Sequence, residues 1–369
     1  MEIQIQRETL LKPLLLVSGA VEKRQTLPVL SHVLLRVNGQ QLSVTATDLE
    51  VELVGQITLN TTVTENEITV PARKFIDICR NLPDEAQLNI ALDGNRLIIK
   101  SGRSRFALST LPASEFPRIS DSPTQMEFSI TQAELKHLLN STHFAMAQQD
   151  VRYYLNGMLF DLSTQALQVI ATDGHRLALS SLASGSETRQ QTTSQVIVPR
   201  KGVMELLRLL NNDEEVVKVA IGTSHIHVTG DNFVFTSKLI EGKFPDFNRV
   251  IPKDSNKIVT FDRDILKKAL ARASILCNEK FHGVRIFISE NLMKITANNP
   301  EQEEAEEEIE INYQGKPLEV GFNVDYLLDV LSVLSPGEIK MSLQDANSST
   351  LLEHAKNSES VYVIMPMRL

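Results

Sequence analysis

Asp173, His175 and Arg176 lie within four residues of one another in the stretch VIATDGHRLAL (169–179), close enough in sequence to suggest an acid–base pair. Such a pair becomes catalytic only when a third group orients the base and a nucleophile lies within reach, and the neighbouring sequence signals neither. Asp-Gly is also a common turn dipeptide, and the same turn recurs as Thr47-Asp48-Leu49 without a histidine. The acidic run Glu301, Glu303, Glu304, Glu306, Glu307, Glu308 could hold a divalent cation, but calcium loops need glycine turns and spaced ligands, and this run has no glycine. A solvated or partner-facing strand is the expectation, with no metal. The chain has no GxxxxGK[ST] loop, dinucleotide fingerprint, HExxH or CxxC spacing, so the sequence argues against an enzyme and implies no cofactor.

The elements that place these residues form a repeat. Asp48, Asp173 and Asn298 are each 125 residues apart, in TATDLEVEL, ATDGHRLAL and ITANNPEQEEAEEEI. After each copy an apolar strand runs into a helix: ITVPARKFIDICRNL (68–82), VIVPRKGVMELLRLL (196–210) and VGFNVDYLLDVLSVL (320–334). Two landmarks in one order, three times, give three tandem domain-sized repeats. The expected bounds are 1–120, 126–253 and 256–369.

Each repeat reads as strand, helix, strands, helix, strands, so the fold class is α+β with antiparallel sheets and helices on one side. Expected helices cover 8–18, 72–82, 134–144, 200–211, 263–275 and 323–334, with Thr131 and Glu134 at capping-box spacing. Pro13 is tolerable only near a first turn or at a kink. QQDVRYYLNGM (148–158) reads as a polar turn entering a strand, 183–195 as a mobile loop, and the proline-bearing stretches 113–125 and 239–254 as linkers. Three repeats strung in line without closure remain an alternative.

Net charge is −9, but seven acids fall between residues 301 and 310, and without them the chain is close to neutral. Local basic surfaces are therefore compatible with the sum. Cys79 and Cys277 sit in apolar helical patterns with no ligand-like neighbour and read as structural thiols. With no signal peptide or long apolar span, a cytoplasmic protein is expected, with no membrane partner.

The strings TLPVLSHVLL, TDLEVEL, VPARKFIDICRNLP, SGRSRFALSTLP, QDVRYYLNGMLF, ATDGHRLA, VIVPRKGV, FTSKLIEGKFPDF, NEKFHGVR, ITANNPEQEEAEE and the terminal MPMRL run end to end. On them the chain resembles the bacterial DNA polymerase III β subunit family, the sliding clamps. The resemblance implies a head-to-tail homodimer of six domains, a non-catalytic ring around double-stranded and primed DNA. It implies partners as well: the replicative polymerase, the clamp loader, translesion polymerases, and mismatch-repair and initiation-regulatory proteins.

The resemblance places DNA contacts at Arg24, Arg73, Gln149, Tyr153 and Tyr154. It places a partner-peptide cleft at Leu155, Thr172, Gly174, His175, Arg176, Leu177, Pro245, Arg249, Val250, Ser349, Val363, Met365, Pro366, Met367, Arg368 and Leu369. A sliding ring needs phosphate attraction without base readout. Helix cations suited to it are Lys12, Arg73, Lys74, Arg80, Lys136, Arg200, Lys201, Arg208, Lys267, Lys268 and Arg272. The subunit interface is expected to set Lys74, Arg96, Arg103 and Arg105 against Glu301, Glu303 and Glu304, with Phe106, Leu108, Ile275 and Leu276 supplying apolar area. A non-ring interaction scaffold and a carboxylate nuclease are the competing readings.

Overall fold

Strands form where apolar and polar residues alternate: EIQIQ at Glu2–Gln6 buries Ile3 and Ile5 and exposes Glu2 and Gln4. The computed structural model describes residues 2–22, 27–119, 123–162, 166–183 and 195–368. Arg24, Leu369 and most of the expected mobile loop fall outside these residues. Among the described residues are six α-helices: α1 (Arg7–Val17), α2 (Ala72–Asn81), α3 (Gln132–Thr142), α4 (Arg200–Leu209), α5 (Arg263–Ala273) and α6 (Val324–Val333). The order strand, helix, strands, helix, strands recurs three times, and the pairings between strands are antiparallel.

Contacts gather the chain into two compact units, Met1–Leu135 with Lys201–Leu239, and Lys136–Arg200 with Ile240–Leu369. In the first, a four-stranded sheet runs Glu2–Gln6, Gln87–Asp93, Arg96–Ser101, Ser104–Ser109. A six-stranded one runs His32–Thr47, Val51–Pro71, Phe233–Lys238, His225–Thr229, Val216–Gly222, Thr124–Thr131. In the second, an eight-stranded sheet runs Gln195–Pro199, Gly157–Asp161, Ala166–Thr172, Arg176–Ala183, Asn357–Ile364, Thr350–His354, Glu338–Leu343, Lys257–Asp262. A four-stranded one runs Glu304–Glu310, Leu292–Asn298, Gly283–Ser289, Leu318–Asn323. The middle repeat is divided because its strands join different sheets: Phe233–Lys238 pairs with Val51–Pro71, and Arg176–Ala183 with Asn357–Ile364.

Helix faces follow the apolar periodicity. α2 buries Ala72, Phe75, Ile76 and Cys79 and leaves Arg73, Lys74, Asp77 and Arg80 exposed. The Thr131 capping box forms, with its amide donating to Glu134 Oε2 at 3.0 Å and the Glu134 amide returning to Thr131 Oγ1 at 3.2 Å. Pro13 lies past the first turn of α1, and Gly55 opposite leaves room for it: a Cβ there would lie 2.8 Å from Pro13 Cβ.

One long strand, His32–Thr47, carries register shifts around Gly39. Two local expectations change. Tyr153 and Tyr154 stand in a 3₁₀ turn, Tyr153–Leu155, and the strand starts at Gly157. Both linkers are partly packed: Phe116 is buried against Val29 and Leu34, and Phe244 and Phe247 join an apolar cluster with Leu177 and Val363.

Candidate functional site

The turn at 172–176 is built by side chains that look chemical and act structurally. Asp173 Oδ1 accepts the amides of His175 and Arg176, each at 2.9 Å, and Thr172 Oγ1 donates to Arg176 O at 2.6 Å. Arg176 is partly buried. Its Nε donates to Asp173 Oδ2 at 3.1 Å, its Nη1 meets Asp329 and its Nη2 donates to Phe144 O at 3.0 Å. The guanidinium lies over the rings of Phe144 and Tyr326, 5.2 and 4.5 Å from their centroids. His175 stacks on Tyr326 with centroids 6.4 Å apart. The Asp173 carboxylate and the Arg176 guanidinium are thus committed to fixing the turn.

Beside the turn lies a cavity of about 180 Å³. It is lined by Leu155, Thr172, Gly174, His175, Arg176, Leu177, Pro245, Val250, Val363 and Met365, all expected cleft residues. Arg152, Tyr154, Phe244 and Phe247 complete it. The two phenylalanines escaped notice because they sit in a Gly- and Pro-bearing stretch that reads as linker; their aromatic spacing in KFPDF was the available signal. The Met365 amide donates to His175 O at 2.9 Å, which ties the stretch around Met365 to the turn. Ser349 Oγ donates to Val250 O at 3.3 Å from outside the lining. Arg249 pairs with Asp246 at 2.9 Å, and Met367 donates to Gly321 O at 2.8 Å. Arg249, Pro366, Met367 and Arg368 do not line this cavity.

The expected DNA contacts divide. Gln149 and Tyr153 are exposed on a loop braced by reciprocal 2.9 Å bonds between Asp150 and Asn156. Tyr154 turns inward, its ring edge-on to Tyr153 with centroids 5.9 Å apart, and forms part of the cleft wall. Arg152 clamps Asp150 and holds its carboxyl at about 2, through a side-chain hydrogen bond above all.

Several of the helix cations are committed. Lys201 pairs with Asp48, Arg272 with Glu307 at 2.5 Å, Arg208 donates to Leu15 O and Leu16 O, and Arg200 donates to Met146 O at 3.3 Å. Among the described residues Arg73, Lys74 and Arg80 form no ion pair; they border a cavity of about 710 Å³ with Ser18, Ser31 and Asp77. Among the described residues no group of three or more His, Cys, Asp or Glu is placed to hold a metal ion. Cys79 and Cys277 are free and buried, and burial pushes the Cys79 thiol up to about 12.

Of the strands at the edges of the four sheets, two carry residues expected at the subunit interface. Ser104–Ser109 closes a sheet of the first unit, with Arg103 and Arg105 exposed, Phe106 half-buried and Leu108 buried; Arg96 is exposed on the next strand. Glu304–Glu310 closes a sheet of the second, with Glu301, Glu303 and Glu304 exposed. Ile275 is 76% exposed and Leu276 half-buried after α5. Register shows the third copy of the turn is capped by Asn299 rather than Asn298: Asn299 Oδ1 accepts the Glu303 amide at 2.9 Å, one residue later than in the other copies.

Three family models match the chain in tandem: the DNA polymerase III beta subunit N-terminal domain over residues 1–120, its central domain over 129–246 and its C-terminal domain over 248–368. The beta sliding clamp of Pseudomonas putida is 55% identical over 369 residues and that of Escherichia coli K12 50%, each comparison covering 100% of both chains. Among solved structures, the DNA polymerase sliding clamp of Pseudomonas aeruginosa with ligand has a TM-score of 0.97 at 54% identity, covering 100% of both chains. The DnaN sliding clamp of Bartonella birtlesii bound to griselimycin has a TM-score of 0.95 at 36% identity, with the same coverage.

Proposed function

The chain belongs to the DNA polymerase III beta subunit family, the bacterial sliding clamps, and we propose from that premise how its own residues divide the work. The function is that of a ring-shaped processivity factor without catalysis, which encircles duplex DNA and tethers the replicative polymerase through a peptide-binding cleft. Three domains, at 1–120, 126–253 and 256–369, make up half of a homodimeric ring. Retention by enclosure sets the physical requirement: attraction to phosphate must be weak and indifferent to sequence, since a base-edge contact would halt sliding.

In this reading Arg24, Arg73, Gln149 and Tyr153 touch DNA, and Tyr154 serves the cleft. The cleft takes an extended peptide with apolar anchors against Leu177, Phe244, Val363 and Met365, where a flexible methionine adapts to varied sequences. The clamp loader, translesion polymerases, mismatch-repair and initiation-regulatory proteins share it with the polymerase. No described helix is long and apolar enough to cross a membrane, and we place the ring in the cytoplasm.

The observation that carries closure is the pair of unpaired strand edges, arginine-bearing at Ser104–Ser109 and glutamate-rich at Glu304–Glu310. Opposite charges on the two ends of one chain favour head-to-tail pairing and oppose like-to-like contact. Loaded on closed circular DNA, the protein is expected to persist and to be lost once the circle is cut. Equal retention on both forms, or binding confined to one sequence, would overturn the reading.

A further inference from the structure

We infer that Arg80, steadied by Asp77, holds the carbonyl end of α5 in a second copy of this chain, which makes the outer face of α2 a subunit contact. The inference rests on the homodimer reading above and adds to it a residue pair and its target.

The repeats fix which groups correspond. Arg7 and Arg263 each open the first helix of a repeat, and each donates to the carbonyl of the leucine that follows the second helix, Leu82 O at 2.5 Å and Leu334 O at 2.6 Å. Ser18 Oγ donates back to Leu15 O at 2.7 Å, and Ser274 Oγ to Ala271 O at 2.9 Å. α1 and α5 are therefore equivalent, with Leu15 and Leu16 matching Ala271 and Arg272. In the second helices, VPARKFIDICRNL and VPRKGVMELLRLL put Arg80 at the place of Arg208 and Asp77 at that of Glu205.

Within the first unit Arg208 has a defined task. It donates from Nη1 to Leu15 O at 3.3 Å and from Nη2 to Leu16 O, while Glu205 Oε2 accepts its Nε at 2.9 Å. Those carbonyls end α1, where the last turn leaves acceptors without helical partners and the helix dipole attracts a cation. α2, in the first of the three repeats, carries the same acid and arginine three residues apart. Arg80 and Asp77 are exposed, and among the described residues neither forms an ion pair.

The matching target is at the other end of the chain. α5 ends with the carbonyls of Ala271 and Arg272 beside the exposed Ile275, and the Arg272 guanidinium is engaged with Glu307 at 2.7 and 2.5 Å. α6 lacks the device: Ser332 replaces the arginine and donates to its own helix at Leu328 O, 2.6 Å, and Asp329 turns to Arg176 instead. The contact is continuous with the proposed strand interface. Strand pairing of Val51–Pro71 with Phe233–Lys238 accompanies the Arg208 cap, and Glu304–Glu310 with Ser104–Ser109 of a second copy are the corresponding unpaired edges.

The test uses the full-length protein with Arg80→Ala and Arg80→Lys, and reads dimer dissociation by sedimentation. Two hydrogen bonds from a guanidinium make the expected weakening roughly ten- to a hundredfold for Arg80→Ala. Arg80→Lys recovers part, because an ammonium cannot fork to two carbonyls. Amide protection at Ser274 and Cys277 in the dimer falls in Arg80→Ala, and the salt slope of DNA retention stays as in the wild type. A dissociation constant within about twofold of wild type overturns the inference, as does an effect confined to a shallower salt slope, which marks a phosphate contact. Wild-type protein that stays monomeric at every concentration overturns the homodimer reading itself, and the inference with it.

Discussion

The turns at 47–51 and 172–176 share one hydrogen-bond pattern and serve different ends. Asp48 Oδ1 accepts the amides of Glu50 and Val51 at 2.9 and 2.8 Å, as Asp173 Oδ1 accepts those of His175 and Arg176. Both aspartates also meet a cation, Lys201 in the first unit and Arg176 in the second. The second turn borders an apolar cavity, and the walls of that cavity come from 152–155, 244–250 and 363–365. Residues that look reactive thus build the frame, and bland residues distant in sequence set one copy of it against a cavity.

The largest expected difference between the turns lies in their cations. Arg176→Ala removes bonds to Asp173, Asp329 and Phe144 O together with contacts to two rings, and should destabilise the second unit by about 2–3 kcal/mol. That is below the roughly 3–5 kcal/mol of a fully buried pair, because Asp329 remains half-exposed to water. Lys201→Ala leaves both amide bonds to Asp48 in place but strips the cation from a carboxylate that is only 2% exposed, and should cost about 1–3 kcal/mol in the first unit. Amide exchange of each unit under mild urea measures both, and equal losses would show that the two cations do the same work.

A smaller contrast lies at the residue after each aspartate. Gly174 has φ +90°, and a Cβ there would approach Arg152 Nη1 to 3.0 Å, so Gly174→Ala should lose about 1–2 kcal/mol and loosen Arg152. Leu49 holds φ 77° with a side chain present. Leu49→Gly should relieve that strain, with a net gain below about 1 kcal/mol after the added freedom of the unfolded chain. Thermal unfolding of both variants checks the opposite signs.

How much of this the sequence displays depends on distance along the chain. Helices, most strands and the Thr131 capping box rest on neighbours a few residues apart, and they stand near where periodicity puts them. The cap at Asn299 was misplaced by one because an added residue keeps the 125 spacing at Asn298 while shifting the turn. Arg208, Lys201 and Arg272 resemble Arg73 in any helical pattern, and only partners dozens to nearly two hundred residues away show that they are occupied. Phe244 and Phe247 were hidden for a related reason, since prolines mark a break in secondary structure and carry no information on burial.

The finest contrast is in the response to acid, where the two turns should move in opposite directions. Beside Asp48, burial first and then the neighbouring carboxylate raise Glu50 above its ordinary 4.5. The folded state then binds more protons than the unfolded one, so the first turn gains stability as pH falls through that raised value toward 4.5. Arg152, which donates to Asp173 O at 3.2 Å, lowers Asp150 from 3.8 to about 2. There the unfolded state binds more protons, so bracing of the second turn is complete above 3.8 and fades as pH falls toward about 2. Protection factors should show this as stronger protection of the Glu50 amide on mild acidification, followed at lower pH by loss at the Arg152 amide, which Asp150 accepts at 2.8 Å. Parallel loss at both amides would mean that acid acts on the fold as a whole, and the local difference between the turns would have no electrostatic basis.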